Sequence, residues 1–231
     1  MENVAPTGRA VHDSPYAHTV TPTKGSSSRS DEPARPRPAN AYALARKKYL
    51  AGERIDLGQM ADELGINRVT LYRWVGTRDG LILEVIWRLT EQTLNQEWQK
   101  FIDLQGPRVP ALLVGFLRAS WSHPGGRHFL MTENERLMRL TTIASNGYQP
   151  RFLAAVRYYL SLDIEAGRVS SNIGLDDLAF VCVRIAESYQ YRPTIDHSPF
   201  DGDAAERVLT ALLSGSDHSA APVGGSMPGM A

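Results

Sequence analysis

The stretch Met60-Ala61-Asp62-Glu63-Leu64-Gly65-Ile66-Asn67-Arg68-Val69-Thr70-Leu71-Tyr72-Arg73-Trp74 decides the fold, because it reads as a helix, a sharp turn and a second helix at fixed spacing. Ala61 is small where the two helices would cross, Gly65 can take the left-handed backbone that ends the first, and Ile66 plugs the turn into the core. Asn67 is a candidate N-cap for the second helix. That helix would present Arg68, Val69 and Thr70 at its N-terminal end, the part of a recognition helix that meets base edges in the major groove. Arg68 suits guanine, and Val69 or Thr70 suits a thymine methyl or a backbone oxygen. Tyr72 and Arg73 lie farther along, where phosphate contacts are expected.

Outward from this hairpin the apolar residues recur at helical spacing, and no stretch sustains the strict alternation of a half-buried strand. Breaks at Gly, Pro and Asn place helices at about 39–51, 57–64, 68–74, 79–104, 109–122, 132–145, 149–165, 175–191 and 203–213. The expected fold is all-α. A three-helix head over 39–78 joins a helical domain over 79–214. Residues 1–38 and 215–231 are rich in Pro, Ser, Thr and Gly, a composition that buries too little apolar surface to offset ordering, and are expected to be a disordered arm and tail.

The 231 residues carry no formal net charge, so a whole-chain average hides any basic surface. Between residues 35 and 78, nine basic residues face four acidic ones; from Asp79 onward, thirteen basic residues face seventeen acidic ones. A basic head beside an acidic body suits phosphate attraction confined to the head. Arg35 and Arg37 lie among prolines, which suits a solvated linker and a minor-groove arm equally. The single Cys182 excludes an internal disulfide and sits in the apolar run 178–185, so a buried inert thiol in a reducing compartment is expected. No stretch approaches the ~20 apolar residues of a membrane span, and the N-terminus lacks the apolar core of a signal peptide; the expected location is the cytoplasm.

The run from Met60-Ala61 through Gly65-Ile66-Asn67 and Thr70-Leu71-Tyr72-Arg73-Trp74 to Gly76-Thr77-Arg78-Asp79-Gly80-Leu81 resembles the signature of the TetR family of bacterial one-component regulators. It departs from that pattern at Val75, where an aromatic is common, and in the short link 52–57. The resemblance implies that Tyr72 contacts a phosphate and that Arg78, standing where lysine is usual, contacts another. It also implies a homodimer formed through the last two helices, binding operator DNA and released by a small-molecule effector. Within the family, residues 65–76 and the proline-rich arm are similar to actinobacterial QsdR-type regulators associated with lactone degradation. That points to a short acyl lactone or its ring-opened hydroxy acid as effector.

The body is rich in aromatics, most of them plain core, and an effector pocket needs a few polar groups among apolar walls. Asn134, Arg184, Glu187, Ser188 and Tyr191 are the candidates, with Arg184 as partner for a hydroxy acid's carboxylate. No cofactor and no metal site is expected, since His123, His128, Glu133 and Glu135 match no familiar ligand spacing. The rival readings are a ligand-independent DNA-binding protein or activator, and a small helical hydrolase using His123 or His128 with Glu133. Against the hydrolase, the chain has no nucleophile elbow, His-Glu-x-x-His, phosphate loop or dinucleotide fingerprint.

Overall fold

Side chains that take up free amides set where the first helices begin. A computed structural model of the chain describes residues 36–214. Helix α1 (Pro38–Ala51) starts with the backbone amide of Arg37 donating to Asn40 Oδ1 at 2.8 Å. Asp56 accepts from Gln59 N (3.0 Å) to start α2 (Leu57–Glu63), and Asn67 accepts from Val69 N (2.8 Å) to start α3 (Arg68–Val75). Between them Gly65 stands at φ 63°, where its amide reaches Asp62 O and that of Ile66 reaches Ala61 O, closing the turn that only a residue without Cβ enters cheaply.

Thr77 accepts from Gly80 N (3.0 Å) at the head of α4 (Arg78–Lys100), a helix of 23 residues and so about 35 Å long. Its apolar stripe, including Ile82, Val85 and Leu94, is buried. It ends a turn before the expected 104, at Phe101. The chain there bends toward Asp163, whose buried carboxylate accepts from the amides of Arg108 (2.6 Å) and Val109 (3.0 Å) and so fixes the start of α5 (Val109–Ser122).

Helix α5 is the hub, with Leu112, Leu113 and Val114 fully buried. Around it pack α4, α6 (Pro124–Thr132), α8 (Tyr148–Glu165), α9 (Leu175–Gln190) and α11 (Gly202–Leu213). Helix α7 (Asn134–Thr142), a 3-10 turn at Ala144–Asn146 and the short α10 (Arg192–Ile195) complete the described residues, which contain no strand and pack as one body. The fold is thus all-helical, as the spacing of apolar residues predicts. The expected arm and tail, and Arg35 with them, lie outside the described residues apart from 36–38, where Pro38 opens α1.

Helix α6 corrects the sequence reading, which takes 123–131 as a loop. His123 acts as N-cap, its Nδ1 accepting from Gly125 N at 3.2 Å, and Pro124 occupies the first helical position, where its missing N–H costs nothing. The glycines that read as a turn serve close approach instead. A Cβ on Gly125 would overlap the carbonyl oxygen of Tyr49 in α1, and one on Gly126 would overlap that of Ser120 in α5.

Candidate nucleic-acid interface and cavity

Helix α3 turns Leu71 into the core and leaves its opposite side bare. Val69 is 74% exposed and Tyr72 52%, three residues apart and therefore neighbours on one face. Arg68 and Arg73 are exposed beside them and Thr70 is half-buried. The guanidinium of Arg68 lies 3.9 Å from Asp62, and both side chains are largely in solvent, so the pair holds it only weakly. Arg37 is exposed at the start of α1. The arrangement offers a short apolar strip flanked by exposed cations, with the helix N-terminus among them.

Arg78 stands elsewhere. Its Nε donates to Ile55 O (2.7 Å), and its two terminal nitrogens reach Glu133 at 3.1 and 3.3 Å, a bidentate pair about a fifth exposed. Arg136 lies 3.6 Å from Glu133 and pairs with Asp79, so residues at the start of α4 are tied to the α6–α7 junction by two arginines and two carboxylates. Arg78 is thus held by Ile55 O and Glu133 and does not stand free on the surface of the head.

The helices leave a partly open cavity of about 150 Å³, the size that holds a benzene-sized molecule in a protein core. Its apolar wall comes from α4, α5, α6 and α8, for example Ile86, Phe116, Leu130 and Phe152. Tyr49 and Leu50 of α1 also face it. Polar groups from several helices stand among them. Tyr148 Oη lies 3.0 Å from Thr90 Oγ1, and Tyr191 Oη lies 2.5 Å from Thr141 Oγ1. Because Thr141 donates its own proton to Leu137 O (2.9 Å), Tyr191 is the donor in the second pair. Glu187 pairs with Arg184 and, with the Gln149 amide oriented to satisfy both its ends, accepts from Gln149 at 2.8 Å. Burial pushes Glu187 up to about 7, against the opposing pull of Arg184 and Gln149.

Residues 106–214 match the family model described as Tetracyclin repressor-like, C-terminal domain. The R. erythropolis transcriptional repressor QsdR, a TetR-family structure, superposes with a TM-score of 0.67 at 25% identity, over 76% of this chain and 93% of that one. Residues 106–214 thus carry a TetR-family C-terminal domain, and the described fold is that of TetR-family regulators. The TetR-family repressor AlkX from Dietzia sp. strain DQ12-45-1b, implicated in biodegradation of n-alkanes, shares the fold at a TM-score of 0.54 and 22% identity, over 78% of this chain and 95% of that one. No curated protein matches the chain by sequence. The similarity is to DNA-binding transcription regulators, the helix-turn-helix of α2 and α3 precedes the matched domain, and none of the described helices is long and apolar enough to cross a membrane.

Of the five effector candidates, the fold brings Glu187 and Tyr191 to the cavity and leaves three outside its wall. Arg184 is committed to Glu187 and Gln149 behind that wall, Ser188 is exposed with its hydroxyl on Arg184 O (2.8 Å), and Asn134 accepts from Glu135 N (2.8 Å) at the start of α7. The histidines do not converge on a reacting centre: His123 caps α6, His128 neighbours Thr132, and Glu133 holds Arg78. Among the described residues no group of His, Cys, Asp or Glu is placed to hold a metal ion. Cys182 is fully buried and its thiol is pushed up to about 12 by burial. Sequence reading missed Tyr49, Thr90, Thr141, Tyr148, Gln149 and Gln190. The one available signal was the long α4 stripe, interrupted at Thr90 by a hydroxyl on its apolar side.

Glu187 gives a pH signature with a definite sign. Its folded value lies above that of an unfolded glutamate, so the folded state binds the extra proton and stability from this group falls as pH rises from about 4.5 through 7. The groups facing it are Arg184 on its own helix, Gln149 and Tyr148 on α8, and Tyr191. The melting temperature of wild type relative to Glu187→Gln should therefore rise on going from pH 8 to pH 6. A difference that stays constant across that range rules out a raised Glu187.

Proposed function

We propose that the chain is a ligand-released repressor that binds operator DNA as a homodimer through α3. The observation that carries this reading is the shared wall of the cavity: Tyr49 and Leu50 belong to α1, which packs on α3, so an occupant touches the helix that supports the recognition helix. Residues 39–78 serve as the DNA-reading head and 79–214 as the regulatory part. Arg68, Val69 and Thr70 read base edges; Tyr72, Arg73 and Arg37 contact the backbone. Arg78 joins them when a phosphate replaces Glu133.

The dimer forms through α9 and α11. These helices pack on each other and leave Phe180 half-exposed and Val208 43% exposed on the outside, apolar area that a second copy would cover. Recognition helices then meet successive major grooves ~34 Å apart, a spacing that a small pivot of α4 spoils. The effector is small, mostly apolar and neutral. A lactone such as the similarity to QsdR suggests meets those terms. Its hydroxy acid does not, because Arg184 is already paired and no lysine or arginine lines the cavity.

Selection of bound sequences from random DNA, followed by a screen for compounds that release the protein, tests the reading. A two-fold symmetric site and a releasing compound are the expected results; recovery of no preferred sequence overturns it. On the selected site, Arg68→Ala is expected to cost about 1–3 kcal/mol and relax preference at one base pair, while Arg78→Ala lowers the salt slope by roughly one on every sequence. Equal loss on all sequences for Arg68→Ala would move that residue to the backbone contacts.

A further inference from the structure

Of the hydroxyls that face the cavity, one is idle; Gln190, also in the wall, leaves its buried Oε1, an acceptor, without a partner among the described residues. The hydroxyl protons of Thr93, Ser120 and Thr141 go to carbonyls one turn back in their own helices, at 2.8, 3.0 and 2.9 Å. Tyr191 donates to Thr141, and Tyr148 and Thr90 bond each other. Tyr49 is 7% exposed, and among the described residues its hydroxyl has no hydrogen-bond partner. Burial alone acts on that phenol, and no bond to another group offsets it. Its ring is fixed, stacked on Phe129 with centroids 5.1 Å apart, and its backbone carbonyl lies against Gly125.

A buried hydroxyl left unpaired is costly, and the cost is recovered when a ligand supplies an acceptor. Glu187 is the only carboxyl in the wall, its partner Arg184 is taken up by it outside the lining, and no lysine or arginine lines the cavity, so an acceptor carrying negative charge would be left without a counter-charge. We propose that Tyr49 is the effector-contacting residue of the DNA-binding head: its hydroxyl donates to an oxygen of a neutral, compact, mostly apolar ligand, so that occupancy acts directly on α1. This rests on the effector cavity described above and adds to it the residue that reads the ligand and the charge state it accepts. Because the Tyr49 ring is stacked and its backbone abuts α6, a ligand that draws the hydroxyl shifts α1 as a whole instead of turning a free side chain.

The test uses full-length protein and three probes of the cavity's size: benzene, cyclohexanone and cyclohexanecarboxylate. Dissociation constants are measured for wild type and Tyr49→Phe, which keeps the ring and its stack. Release from the selected duplex is then measured against each protein's own probe-free affinity. Cyclohexanone is expected to bind wild type about tenfold more tightly than Tyr49→Phe, benzene to bind both alike, and the carboxylate to bind neither. Cyclohexanone should release wild type and, at equal occupancy, release the variant less. Equal ketone binding by both proteins, or carboxylate binding as tight as ketone binding, overturns the inference while benzene binding leaves the cavity reading standing. Equal release at equal occupancy overturns the direct action on α1. If neither benzene nor cyclohexanone binds wild type, the effector cavity and this inference fall together.

Discussion

Val69→Asp is expected to abolish binding to the selected operator, by a hundredfold or more, without lowering the melting temperature. Val69 lies at the second position of α3 and is 74% exposed, so its replacement removes little buried surface, and substitutions at such positions stay within about 0.5 kcal/mol. A carboxylate in the first turn is moreover favoured by the helix dipole. On the DNA side the same charge enters a groove walled by phosphates and competes with them for Arg68 and Arg73, and like-charge contacts between carboxylate and phosphate cost several kcal/mol. Stability and binding therefore separate. Gel shifts beside thermal melts check it, and binding within threefold of wild type would remove Val69 from the interface.

Gly125→Ala is expected to destabilise the protein by about 1–3 kcal/mol, the usual cost of overfilling a packed site. The direction is diagnostic. In an open helical position the same change stabilises by about 0.4–1 kcal/mol through the unfolded chain. Here the new methyl would overlap the carbonyl oxygen of Tyr49, which already accepts from Gly52 N at 3.0 Å and cannot retreat alone. Helices α1 and α6 must separate, and with them the Tyr49–Phe129 stack. A fall in melting temperature of about 2–4 °C per kcal/mol is expected for a chain of this size. An unchanged or raised melting temperature would show that the two backbones are not in contact.

The head was legible because its instructions are local. Asn67 caps α3 and Gly65 breaks α2 through contacts spanning two to five residues, and such spacing can be read directly from a sequence. The cavity was not, because seven helices or helix ends supply its wall and helical period does not say which of two apolar faces turns inward. On α9, Glu187 and Gln190 point in, while Arg184 and Ser188, one turn apart on the adjoining face, do not line it, and Phe180 is half-exposed despite its apolar character. Tyr49 escaped notice for a related reason: it reads as a core residue of the head, and only the tertiary contact of α1 with α6 and α4 brings it over the body. Arg78 sits at a position whose family role is a phosphate contact, and no local pattern signals Glu133, fifty-five residues away, as its partner.

The two glycines that let α1, α5 and α6 touch backbone to backbone also govern how motion is conveyed. Side-chain layers between helices yield by changing rotamer and absorb small displacements like a spring. At Gly125 and Gly126 no such layer exists. A push on α6 or α5 is handed to α1 undiminished, as along a rod. The amplitude that reaches α3 is then a matter of leverage, set by where along the 23 residues of α4 the pivot lies and not by the softness of the joint.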